Sequence, residues 1–127
     1  MKSDFRNLDV WKKGKEIRII IWQMTRKFPD DEKYRLSDQM VRASRSITAN
    51  VAEGYGRYHF KDNIRFCRQS RGSLFELLDH IEAAVECCYI NEEEFSRLNM
   101  SLEDLLMLLN GYIKYLSKKK SPDESEA

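Results

Sequence analysis

The sequence predicts an all-α protein: an antiparallel, up-down-up-down four-helix bundle in a single domain. Three observations carry this. Apolar residues recur at alternating three- and four-residue steps through most of the chain, the spacing of one helix face. Two prolines and five glycines are all that interrupt 127 residues, which favours long helices. The breaks fall at Phe28-Pro29-Asp30-Asp31, at Gly54-Tyr55-Gly56 and just before Asn91, so the connections are short and successive helices become neighbours. The spacing places the domain at residues 5–117, with flexible tails at 1–4 and 118–127.

The first helix is expected from about Asp9 to Arg26, with Val10, Ile17, Ile21, Met24 and Phe28 on one face. Pro29 ends it, because proline restricts its predecessor and cannot continue the hydrogen-bond ladder. Leu36, Met40, Ala43, Ile47 and Asn50 mark the second. Gly54 and Gly56 are expected to close it in left-handed conformations. The third is the longest, with a heptad stripe of Phe60, Ile64, Cys67, Arg71, Leu74, Leu78, Ile81, Val85 and Cys88 that Arg71 alone breaks. Gly72 and Ser73, unfavourable in mid-helix, suggest close helix approach. Asn91 with Glu94 reads as a capping box for the fourth helix. Its stripe is Leu98, Leu102, Leu105, Leu109, Tyr112 and Leu116, with Leu106, Leu108, Ile113 and Tyr115 beside it. That is more apolar surface than one seam buries, and an exposed surplus favours a homo-oligomer.

Composition excludes several classes. No stretch approaches the ~20 apolar residues of a membrane span, and the N-terminus lacks the features of a secretory leader. Cys67, Cys87 and Cys88 form no CxxC pair; reduced thiols in a cytoplasm follow, with Cys87 and Cys88 read as buried packing residues. Glu76, Asp79 and His80 are an incomplete ligand set without a second histidine nearby, so neither metal nor cofactor is expected. His80 lies about 10 Å along the helix from Cys87, too far to serve it as a base. Gly54-x-Gly56 follows a helix rather than a strand, so it is no dinucleotide loop. Nothing reads as an enzyme.

Charge is more informative. The net charge is +1, yet residues 1–72 carry 17 Lys+Arg against 9 Asp+Glu, and residues 73–127 carry 5 against 12. Arg42 and Arg45 are one turn apart on the second helix; Arg57 precedes Lys61, Arg65 and Arg68 at the start of the third. Tyr55, Tyr58, His59 and Phe60 lie between the two groups. A basic face with adjacent rings suits RNA or DNA, through phosphate neutralisation and stacking. The same charges equally suit pairing with the acidic half of the chain, within or between subunits. Ser46, Asn50 and Glu53 form a candidate polar network in which a buried asparagine sets register or oligomer state; a small-ligand site is the alternative.

The run Ser46-Ile47-Thr48-Ala49-Asn50-Val51-Ala52-Glu53-Gly54-Tyr55-Gly56-Arg57, followed by Gly72-Ser73-Leu74-Phe75-Glu76-Leu77, resembles the four-helix-bundle proteins encoded in intervening sequences of bacterial 23S ribosomal RNA genes. The resemblance extends to Leu8-Asp9-Val10-Trp11, Phe28-Pro29 and Leu36-Ser37-Asp38-Gln39-Met40-Val41-Arg42-Ala43. It departs at His59, where a serine cap is common, and at Asn63, where an aromatic is frequent. It implies a homopentameric ring. The fold is also similar to the accessory protein of diversity-generating retroelements, a basic ring that engages nucleic acid and a reverse transcriptase; this chain is much less positive. The sequence therefore points to a non-enzymatic oligomeric scaffold, binding RNA or DNA through its basic face or using its charge segregation for assembly or a protein partner.

Overall fold

Each apolar stripe forms one wall of a shared core. In the computed structural model, which describes residues 4–119, four helices make up a bundle: α1 (Asp9–Thr25), α2 (Asp38–Tyr55), α3 (Phe60–Glu86) and α4 (Glu92–Ser117). No strand occurs among the described residues. The expected tail residues 1–3 and 120–127 lie outside them. Asp4 is held, its carboxylate accepting from the Arg6 backbone N–H ahead of a single 3-10 turn at Phe5–Asn7.

Val10, Ile17 and Ile21 of α1 are buried with Phe28, which follows the helix; Met24 is half-buried. After Pro29 the chain makes a 3-10 turn (Asp30–Glu32) and a wider π turn (Lys33–Ser37), so α2 begins at Asp38. Met40, Ala43, Ile47 and Val51 carry its core face. The α4 stripe is buried as expected at Leu98, Leu102, Leu105, Leu109 and Leu116, with Tyr112 half-buried. Its capping box is complete: Asn91 Oδ1 accepts from the Glu94 N–H (2.8 Å), and Glu94 Oε1 from the Asn91 N–H (3.0 Å). Leu74, Leu77, Leu105 and Leu109 are fully shielded, each contributing about 1.5–3 kcal/mol of transfer free energy.

The heptad of α3 is rotated by one residue from the expected stripe. Its buried residues are Asn63, Phe66, Cys67, Ser70, Leu74, Leu77, Ile81 and Ala84. Cys67, Leu74 and Ile81 belong to both stripes; Ile64, Leu78 and Val85 are half-buried on the flank instead. Arg71 thus breaks nothing: it lies off the core and donates to Asn110 Oδ1 of α4 at 2.7 Å. The buried position beside it is Ser70, whose hydroxyl donates to the Ile47 carbonyl of α2 at 2.7 Å. Small polar groups fill this line because α2 and α3 approach closely. Contacts step in opposite directions along the two helices, from Gly54 against Asn63 to Ile47 with Ser70 and Ser46 with Ser73.

The glycines need correcting too. Gly54 and Gly56 both have negative φ; Gly54 is a packing residue, where a Cβ would stand 2.6 Å from Asn63 Oδ1. At Gly72 a Cβ would meet nothing within 4 Å, so no close approach among the described residues requires it. Among the described residues the left-handed conformation belongs to Cys88, φ 61°. There the Cys88 N–H donates to the Val85 carbonyl and the Tyr89 N–H to the Ala84 carbonyl, a Schellman ending for α3. That ending leaves Cys87 and Cys88 exposed rather than buried; only Cys67 is inside, and all three are free thiols.

Candidate nucleic-acid interface

Four of the six expected cations lie in the turn between α2 and α3 or along the first part of α3. Arg57 sits in the turn, and Lys61, Arg65 and Arg68 follow at steps of four, four and three, all exposed. Helical geometry puts the last three on the face of α3 opposite its core. Phe66, buried under this corner, receives two guanidinium groups, Arg57 at 4.7 Å and Arg65 at 5.3 Å from its ring centroid. Cation–π contact holds both near the ring while leaving N–H groups available. Each also has a carboxylate: Arg57 with Glu53 at 2.8 Å, Arg65 with Asp62 at 3.3 Å. Exposed pairs of this kind contribute little to stability and yield readily to a competing anion.

Arg42 and Arg45 are exposed on α2 but stand apart from that corner. The register that sets Ser46 against Ser73 lays them alongside residues 72–77 of α3. Arg45 also lines a groove of about 380 Å³ between the end of α1 and the start of α2, with Trp22, Arg26 and Lys33. Among the rings expected to stack, Tyr58 is 65 % exposed and meets His59 edge-on at 4.8 Å. Tyr55 is less open, and Phe60 packs against the core.

The expected polar network is rearranged. Asn50 is half-buried and donates within its own helix, to the Ser46 carbonyl (2.9 Å) and Ser46 Oγ (3.1 Å), while Ser46 Oγ bonds Ser73 Oγ at 2.8 Å. Glu53 instead turns outward to Arg57. The deeply buried asparagine is Asn63: its amide donates to the Tyr112 hydroxyl at 3.2 Å, and its oxygen accepts from Cys67 Sγ at 3.6 Å. Burial pushes the Cys67 thiol up to about 11 and raises Tyr112 as well. Sequence reasoning missed Asn63 because the expected α3 stripe ran through Ile64, one residue beyond it. The heptad spacing of Asn63, Cys67 and Ser70 was the available signal.

Glu76 and His80 form a pair at 3.2 Å, and no group of three or more metal-ligating side chains converges among the described residues. A second groove of about 440 Å³, between α1 and α4, is lined by Met24, Lys27, Tyr89, Glu94 and Arg97. No helix among the described residues is long and apolar enough to cross a membrane.

Comparison with known proteins settles the lineage. The sequence model of the family described as 23S rRNA-intervening sequence protein matches residues 6–111. The chain belongs to that family. The 23S rRNA-intervening sequence protein match takes in the α2–α3 corner and all six cations, and ends within α4. The fold is similar to the crystal structure of a protein of unknown function from the S23 ribosomal protein family of Bacteroides thetaiotaomicron VPI-5482. The TM-score is 0.76 at 24 % identity, covering 83 % of this chain and 95 % of that one. No curated protein matches the chain.

Proposed function

We propose that this chain is a non-enzymatic, homo-oligomeric scaffold that binds structured RNA or DNA through its basic corner. The observation that carries the reading is a run of exposed cations, Arg57 in the α2–α3 turn and Lys61, Arg65 and Arg68 along the outer face of α3, with the exposed ring of Tyr58 in the same turn. Such a surface neutralises phosphates and positions a backbone, with little reading of sequence. Arg42 and Arg45 extend the charge along α2, so a bound strand would run past the corner rather than end there. The family's name points to an intervening sequence of ribosomal RNA, which makes ribosomal hairpins the first ligands to try. In this reading the helices alternate up and down, and copies close into a ring, five by the resemblance. Met100, Met107, Leu108 and Tyr115, all exposed on α4, offer apolar surface for that assembly. The free thiols suit a reducing cytoplasm.

One observation favours a second reading, assembly or protein partnership with no nucleic-acid role: Arg57 and Arg65 already face carboxylates. The double variant Arg65→Ala/Arg68→Ala separates the two. The first reading expects weaker RNA binding and a flatter salt dependence with the ring intact. The second expects RNA to be unaffected and the ring itself to loosen.

A further inference from the structure

The outward stripe of α3 has an unusual layout. Opposite the core, at alternating four- and three-residue steps, it begins with Lys61, Arg65 and Arg68. Gly72 and Phe75 follow at its centre, and Asp79, Glu82 and Glu86 complete it. Every one of these positions is exposed. One half is wholly basic and the other wholly acidic.

A second copy of the stripe, laid against the first in the reverse direction, complements it at every step. Lys61 comes opposite Glu86, Arg65 opposite Glu82, and Arg68 opposite Asp79. Phe75 comes opposite Gly72. This last match joins two features that nothing among the described residues explains. Phe75 is a large apolar side chain left 53 % exposed. Gly72 weakens the middle of a 27-residue helix although a Cβ there would meet nothing within 4 Å, and glycine in a helix interior is unfavourable without a reason for close approach. The phenyl of one copy fits the space that the missing side chain of the other leaves.

We infer that α3 docks against α3 of a second copy about a two-fold axis, in reverse orientation, with Phe75 of each seated over Gly72 of the other. The contact is isologous, like surface on like surface, whereas a ring joins unlike surfaces; it therefore adds a pairing step to any ring. Heptad spacing supplies the seam, and charges at fixed positions set direction and partner. The inference does not rest on nucleic-acid binding, and it competes with it: pairing covers Lys61, Arg65 and Arg68, while Arg42, Arg45 and Arg57 stay outside the stripe.

The test uses the full chain, freed of nucleic acid, in sedimentation and light scattering at about 50 mM salt, where charge pairing is little screened. One variant, Lys61→Glu/Arg65→Glu/Arg68→Glu, makes the stripe acidic throughout; another, Asp79→Lys/Glu82→Lys/Glu86→Lys, makes it basic throughout. All six side chains are exposed, so circular dichroism should report unchanged helicity. Each variant alone is expected at half the wild-type mass, and an equimolar mixture is expected to regain the full mass. Gly72→Leu, which fills the space, should also halve the mass. Either charge variant keeping the wild-type mass, or a mixture remaining at half, overturns the pairing. A basic half that serves only nucleic acid would show itself as RNA binding lost from the first variant with mass unchanged in both, which also overturns it.

Discussion

Replacing Gly54 and Gly72 by alanine, one at a time, moves stability in opposite directions although both glycines are helical. At Gly72 the new methyl meets nothing within 4 Å, so within the unpaired chain only backbone propensity acts, and alanine stabilises it by about 0.5–1 kcal/mol. At Gly54 the methyl lies 2.6 Å from Asn63 Oδ1, 3.0 Å from the Asn63 carbonyl oxygen and 3.0 Å from Phe66 Cβ. Two of those three atoms are fixed to the α3 backbone and cannot swing aside. Either α3 retreats from α2, or Asn63 also turns away and gives up Tyr112. Over-packing of this kind costs about 1–3 kcal/mol, and a lost buried hydrogen bond adds about 1. The propensity gain of about 1 kcal/mol offsets part of this, leaving a net loss of roughly 1–3 kcal/mol. Urea unfolding followed by far-ultraviolet circular dichroism reads both changes as shifts in midpoint at constant slope. Chain concentration must be held fixed, and about 0.5 M salt keeps surface charge pairing screened. A Gly54→Ala protein as stable as the wild type, or a destabilised Gly72→Ala protein, would refute the packing argument.

Three further outcomes follow from single sites. Cys88→Gly should raise stability by about 1 kcal/mol, because a non-glycine residue in the left-handed region carries about 1–2 kcal/mol of strain, partly returned as glycine's entropy; the same urea titration measures it. A thiol reagent should modify the exposed Cys87 and Cys88 at once, whereas the buried Cys67, held up at about 11, should react only when urea opens the bundle; all three reacting together would contradict the burial. Tyr89 hydrogen-bonds to Glu32 Oε2 at 2.7 Å, and that bond, with desolvation and nearby negative charge, raises the phenol from 10.0 to about 12. The neutral phenol is thus favoured by folding, so its contribution is full below pH 10 and disappears as pH rises through about 12. Ultraviolet titration should show two late tyrosines, Tyr89 and the buried Tyr112, and Glu32→Gln should move Tyr89 alone back toward 10.

Much of the fold was legible because long periodic stripes leave few alternatives. The faces of α1 and α4, the stop at Pro29 and the Asn91–Glu94 capping box all sit where spacing and capping chemistry put them. The rotation of α3 was hidden for a physical reason. Hydrophobicity favours Ile64, Leu78 and Val85 as the buried line, but the close approach of α2 at Gly54 and Ile47 puts Asn63 and Ser70 inside, and the rest of the helix follows with Leu77 and Ala84. Their polar atoms are tolerated because Ile47 and Tyr112 accept or receive them. Cys88 was equally opaque, since a left-handed ending usually announces itself with glycine. At the candidate interface, proximity in sequence brought Arg57, Lys61, Arg65 and Arg68 together. It could not show that Glu53 faces Arg57 instead of Asn50, or that Arg42 and Arg45 stand further along α2.

The central claim is that the basic corner binds nucleic acid by phosphate neutralisation. Anisotropy of a labelled ribosomal hairpin, titrated with wild-type protein at a series of salt concentrations, tests it most directly. Four cations at the corner predict a log–log salt slope of about −3 to −4, falling by about 2 in the Arg65→Ala/Arg68→Ala protein. Absence of binding at low salt, or a slope that the double variant leaves unchanged, would contradict it.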